Sequence, residues 1–158
     1  LPHASGSLHG LLRGHRRVTL ARRPCRTLQD PFPYLYRDTD VEGMTDGWDE
    51  PTSYGHHYGG QYVRVFARNS GMFFLQATNE ALAMVKRLAR RMETEGTWDQ
   101  SAYNQEQFLP AFGSHRAVGV STRVMNYLCN LNSKTFFRFV REDEELLRGY
   151  RTVSVHVN

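Results

Sequence analysis

At 158 residues the chain is long enough for one domain with its own core, and its 40% apolar, 12% aromatic and 23% charged content excludes a disordered or fibrous protein. The formal charge of +4 belongs to one end: residues 1–27 carry six arginines and no acid, and setting those six apart from the 20 basic residues leaves 14 against 16 acids, a net of −2 for residues 28–158. That slightly acidic body offers no basic surface for nucleic acid, two cysteines are too few for a disulfide framework (though one bridge between Cys25 and Cys129 is open), and no apolar run approaches the ~20 residues of a membrane span.

Residues 1–27 read as a basic, weakly ordered leader in which only Val18–Leu20 is strand-like. The stretch is Arg-rich and acid-free like a transit peptide or basic stalk, and it lacks the apolar centre of a secretory signal. For a protein of the secretory pathway, the membrane anchor or signal is then expected upstream of Leu1.

Residues 28–158 read as the domain. Asp30 to Asp49 packs six carboxylates (Asp30, Asp38, Asp40, Glu42, Asp46, Asp49) among Phe32, Tyr34, Tyr36 and Trp48. Pro31, Pro33, Gly43 and Gly47 punctuate it, so an ordered loop is expected there. A Tyr/His/Gly loop follows over Tyr54–Gly60.

Gln61–Arg68 alternates like a strand, and Met72–Leu75 is a short apolar run of the kind buried on both faces. Asn69-Ser70-Gly71 between them is either a kink separating two strands or a bulge in one. Thr78–Glu95 has helical spacing at Leu82, Val85, Leu88, Ala89 and Met92, with Thr78 as N-cap and Gly96 placed for a left-handed stop. Its basic residues, Lys86, Arg87, Arg90 and Arg91, are expected outward on a solvated face.

A second helix is expected from Thr97 to about Gln107, with Pro110 ending the segment. Val118–Tyr127 is strand-like, Asn130–Ser133 a polar turn, Thr135–Val140 a strand, Glu142–Arg148 a short helix and Thr152–Val157 a final strand. This order predicts a mixed α/β domain.

Several positions could carry chemistry. Asp38-Thr39-Asp40 is an Asp-x-Asp triplet able to share a divalent cation with diphosphate oxygens, a pattern also common in surface turns. Asn69-Ser70-Gly71 offers backbone N–H groups and short polar side chains to a hydroxyl-rich ligand, or is simply a bulge. Asp99 and Gln100 could bond sugar hydroxyls, or Asp99 could cap its helix. His156 could ligate a metal, or be a core histidine. No P-loop, G-x-G-x-x-G or Ser-His-Asp ordering is present.

Taken together, DPFPYLYRDTDVEGMTDGW, RNSGMFFLQAT, TWDQSAYNQEQF, STRVMNY, LNSKTFFRFVRE and TVSVHVN resemble, in order over residues 28–158, the nucleotide-diphospho-sugar transferase domain of glycosyltransferase family 77. That group comprises plant and green-algal arabinosyltransferases acting on hydroxyproline-rich cell-wall glycoproteins such as extensins.

The resemblance implies a GT-A fold, Rossmann-like in its nucleotide-binding half, a UDP-arabinofuranose donor, divalent manganese, retention at the anomeric carbon, and a Golgi-lumen location as a type II membrane protein. It implies that Asn69, Ser70 and Gly71 lie by the donor sugar and that Asp99 and Gln100 are catalytic, with Trp98 beside them binding substrate. Asp38, Asp40, Glu42 and Asp46 would line the acceptor side, and His156 would be the C-terminal metal ligand. The family's metal-binding Asp-x-Asp projects onto Arg22 and Pro24, and residues 1–27 do not resemble the nucleotide-binding half. The resemblance therefore predicts a partial GT-A-like domain lacking much of that N-terminal half. A catalytically inactive glycan- or glycoprotein-binding module is the alternative.

Overall fold

The computed structural model describes residues 18–21 (backbone only), 25–54, 68–108, 119–149 and 151–157. Arg22, Pro24 and nearly all of the predicted Gln61–Arg68 strand lie outside these residues, as does Pro110. Inside the span read as a leader, two segments are strands: β1 (Val18–Ala21) and β2 (Cys25–Thr27).

A four-stranded sheet has the order β1-β4-β3-β5, with β3 at Val41–Thr45, β4 at Arg68–Leu75 and β5 at Thr122–Val124. β4 runs antiparallel to both β1 and β3, while β3 and β5 are parallel. The alternation of β3 and β4 explains the two layers around this sheet. Val41, Leu75 and Phe73 face helices α2 (Asn79–Thr94) and α3 (Asp99–Phe108), meeting Met84, Val85 and Tyr103. Met44, Met72 and Phe74 face the other way, onto Met125, Leu35 and Cys25. Each such side chain, taken fully from water, contributes about 1.5–3 kcal/mol.

The second sheet has the order β2-β7-β6, with β6 at Asn130–Asn132 and β7 at Ser154–His156. Leu131, Val140 and Val155 form its core with Phe136 and Leu146, the last from helix α5 (Glu144–Gly149). Helix α1 spans Glu50–Tyr54, and α4 (Ser133–Thr135) runs into a π turn at Phe136–Val140. No described helix is long and apolar enough to cross a membrane.

Three local expectations are corrected. The acidic-aromatic stretch is not all loop: Val41–Thr45 is a fully buried strand between β4 and β5. The strand tolerates Glu42 because its carboxylate accepts the backbone N–H groups of Tyr36 (3.0 Å) and Arg37, the latter held at φ 60°. Asn130–Asn132 is likewise a buried strand, not a turn, and Thr135–Val140 is helical. There Asn132 caps the helix by accepting from Thr135 N (2.9 Å), and Phe136 and Val140, four apart, turn inward.

Thr78 caps α2 as predicted, accepting from Ala81 N at 3.2 Å, and Gly96 is left-handed at φ +57°. The basic face of α2 is only partly solvated. Arg87 and Arg91 reach Glu106 of α3, buried to 6% exposure, at 2.6 and 3.4 Å.

Candidate functional site

The carboxyl ends of β3, β6 and β7 converge with the start of β4, and the ladder between β3 and β4 breaks there. Gly43 pairs with Phe73, but the next residue, Met44, pairs with Asn69, so Ser70, Gly71 and Met72 have no partner on β3. Asn69-Ser70-Gly71 is thus a bulge within one strand. Released from the ladder, its polar groups turn to side chains. Gly71 N donates to Asn69 Oδ1 at 2.6 Å, and Asn69 Nδ2 donates to Asp46 Oδ1, also at 2.6 Å.

Helix α3 begins against this bulge. Gln100 donates through Nε2 to Asp46 Oδ2 at 2.5 Å and accepts from Ser70 N at 3.4 Å. Ser70 Oγ lies 3.5 Å from Asp99 Oδ2. The positive end of the α3 dipole favours both carboxylates at this spot. Asp46 receives one bond from β4 and one from α3, so it fixes Asn69 relative to Gln100 and positions residues on both elements.

His156, at the end of β7, is 2% exposed and closes the floor: a Cβ built on Gly71 would stand 2.5 Å from its ring Cγ and Cδ2. Across the ladder it faces Cys25, whose thiol burial pushes up in pKa; Cys25 and Cys129 are not bridged. Trp98, 65% exposed, stands just before α3.

Asp46, Asn69, Ser70, Gly71, Asp99, Gln100, Trp98 and His156 therefore gather at one end of the domain. Asp38, Asp40 and Glu42 do not join them. Six residues of extended chain, roughly 20 Å, separate Asp40 from Asp46. Asp40 bonds Thr78 Oγ1 (2.6 Å) and the N and Oγ of Ser121 (2.8 and 2.7 Å), tying β3 to the α2 cap and the approach to β5. Burial alone would raise its pKa, but the bonds from Thr78 and Ser121 outweigh that and hold the carboxyl below its ordinary value. Asp38 pairs with Arg123 at 2.9 Å. Glu42 is fully buried, holding the Tyr36–Arg37 turn.

Residues not foreseen from the sequence support the site. Asn132 Nδ2 donates to the carbonyls of Thr45 (2.8 Å) and Gly47 (2.7 Å), bracketing Asp46. Asn104 accepts from Arg68 N and donates to the carbonyls of Arg68 and Gln100, joining α3 to β4 just ahead of the bulge. For Asn132 the signal is an N-cap residue type just ahead of an apolar run; for Asn104, mid-helix, no local signal exists.

The profile of the nucleotide-diphospho-sugar transferase family matches residues 27–158. The chain belongs to that family. It is a family-77-like member, 35% identical over 142 residues to arabinosyltransferase RRA1 and 34% identical over 143 residues to arabinosyltransferase RRA2, both of Arabidopsis thaliana. Each match takes in 83% of this chain but only 35% and 33% of the respective relative, so the chain spans about a third of their length. No solved structure matches it.

Divalent manganese, expected from the resemblance, does not fit the described residues of the transferase chain. Among them no three His, Cys, Asp or Glu side chains group so as to hold a metal ion.

Proposed function

We propose that this chain is the sugar-handling part of a GT-A-type glycosyltransferase that moves arabinose from a UDP-arabinofuranose donor to hydroxyproline-linked glycans of cell-wall glycoproteins such as extensins, with retention at the anomeric carbon. The observation that carries this reading is the bulge-and-helix cluster of Asp46, Asn69, Ser70, Gly71, Asp99 and Gln100. Its polar atoms converge where ligands bind in α/β folds, outside the carboxyl ends of strands. Family membership and the arabinosyltransferase names of the relatives support the reaction class. The Golgi lumen, where such glycoproteins are decorated, is the proposed location.

In this reading the donor pentose lies over Ser70 and Gly71, with a ring face on Trp98. Asp99 accepts a hydrogen bond from the acceptor hydroxyl and holds its oxygen near the anomeric carbon, while Asp46 keeps Gln100 and Asn69 in register. Such positioning is where a transferase gains most of its rate. The bond from the anomeric carbon to the diphosphate breaks, that to the acceptor oxygen forms, and the hydroxyl proton leaves with the diphosphate. Manganese, when bound, would offset charge on the leaving diphosphate and would need ligands beyond the described ones.

The test is transfer of arabinose from UDP-arabinofuranose to an arabinosylated hydroxyproline peptide, with manganese supplied. Asp99→Ala should lower the rate by about a hundredfold, the scale for misplacing a reacting atom by about an ångström. Full activity in that variant would remove Asp99 from the site.

Arg22 and Pro24 favour a second reading, an inactive glycan- or glycoprotein-binding protein that keeps this cleft. Its signature is an unaltered protein that binds the acceptor peptide and transfers nothing.

A further inference from the structure

Arg68, just before the bulge, lines a cavity of about 330 Å³ together with Tyr36, Tyr54, Thr122, Arg123 and Val124, a volume at the small end of ligand sites. Among the described residues its lining holds two guanidinium groups and no carboxylate. Arg68 is the more telling of the two. Its backbone is clamped on both sides by Asn104, so the side chain cannot withdraw along the strand. Its Nε is buried with no hydrogen-bond partner among the described residues, where it also makes no ion pair, and the face of Phe108 lies 5.4 Å from the guanidinium carbon. Burial pulls its pKa below the ordinary value, the mark of a cation short of compensation.

A buried donor and charge left unanswered is unfavourable unless something else answers it. Arg123 faces the same space, its guanidinium carbon 4.3 Å from the Tyr36 ring centroid. Its one carboxylate contact, Asp38 at 2.9 Å, is a half-exposed pair, which is weak and open to competition by another anion. The planar forks of two arginines suit the oxygens of a carboxylate or phosphate, and tyrosine rings beside them suit an attached ring.

We infer that this cavity is an oxyanion-binding subsite: Arg68 and Arg123 hold the carboxylate or phosphate of a sugar-sized ligand whose ring lies between Tyr36 and Tyr54. The inference goes beyond the transfer reaction, and because binding here is read without any transfer, it can fail while that reading stands. The two sources of the anion are an acidic sugar of a glycan and a phosphate, and they separate on titration.

The experiment titrates D-galacturonate, inorganic phosphate and neutral L-arabinose separately into the protein, following calorimetry and the 15N resonance of the Arg68 Nε–H. The anions should bind and move that resonance, and L-arabinose should bind at least about tenfold more weakly, the scale of one charge-assisted hydrogen bond. Tighter galacturonate than phosphate supports an acidic glycan; the reverse supports a phosphate group. Arg68→Gln and Arg123→Gln should each weaken anion binding by about tenfold. Should Arg68→Gln fail to fold, Arg123→Gln and the Arg68 resonance decide alone. Equal affinity for L-arabinose, an unmoved resonance, or unchanged affinity in Arg123→Gln would overturn the inference.

Discussion

Single residues carry this site more by what they hold than by what they expose. Gly71 is the tightest: a methyl group added there would stand 2.5 Å from ring carbons of His156 and 2.6 Å from Asn69 Oδ1, so Gly71→Ala must displace a buried ring or break the bulge. A loss of about 2–3 kcal/mol on denaturant unfolding is expected. Gly96→Ala is the control, since nothing lies within 4 Å and only the left-handed φ of +57° is at stake, worth about 1 kcal/mol. Asp40 makes a pH prediction. Its pKa is lowered in the folded protein, so its stabilisation is fully present above the ordinary carboxyl value of 3.8 and is lost as pH falls through the lowered one. Asp40→Asn should flatten that acid limb of a stability-versus-pH curve. A limb unchanged in the variant would place the titrating group elsewhere.

At the scale of elements, what the sequence made legible was whatever local chemistry specified. Thr78, the apolar spacing after it and Gly96 define α2 from cap to stop, and these appear where expected. Elements set by tertiary contact were not legible. β3 looks like acidic loop because nothing near Glu42 in sequence announces that the folded-back Tyr36–Arg37 turn will satisfy it. Thr135–Val140 looks like a strand because it is rich in β-branched and aromatic residues; the cap from Asn132 and the inward pair Phe136 and Val140 override that preference. The packing of α2 on α3 is the third case, since arginines read as solvated meet a buried acid. Glu106→Gln keeps the shape and removes the charge facing Arg87 and Arg91. Thermal unfolding should show a loss of about 1–3 kcal/mol. No loss would mean the pairs exchange freely with water.

For the whole molecule, the sequence marked segments that could carry chemistry but could not say which of them meet. The Asp-Asn-Ser-Gly-Asp-Gln set converges because β3 ends where β4 bulges and α3 begins. Asp38 and Asp40, read as part of the same acidic group, are carried to the far end by the strand in between. That a 20-residue acidic stretch would be divided by a strand was not visible in its composition. Calorimetric titration of UDP-arabinofuranose asks whether that convergence binds a donor, with the unaltered protein set against an Asp46→Ala variant shown by circular dichroism to be folded. Saturable binding that weakens by at least about tenfold in the variant, as expected when one carboxylate orders both walls of the cleft, is the predicted result. Equal binding by the two proteins, or none by the unaltered one, would contradict it.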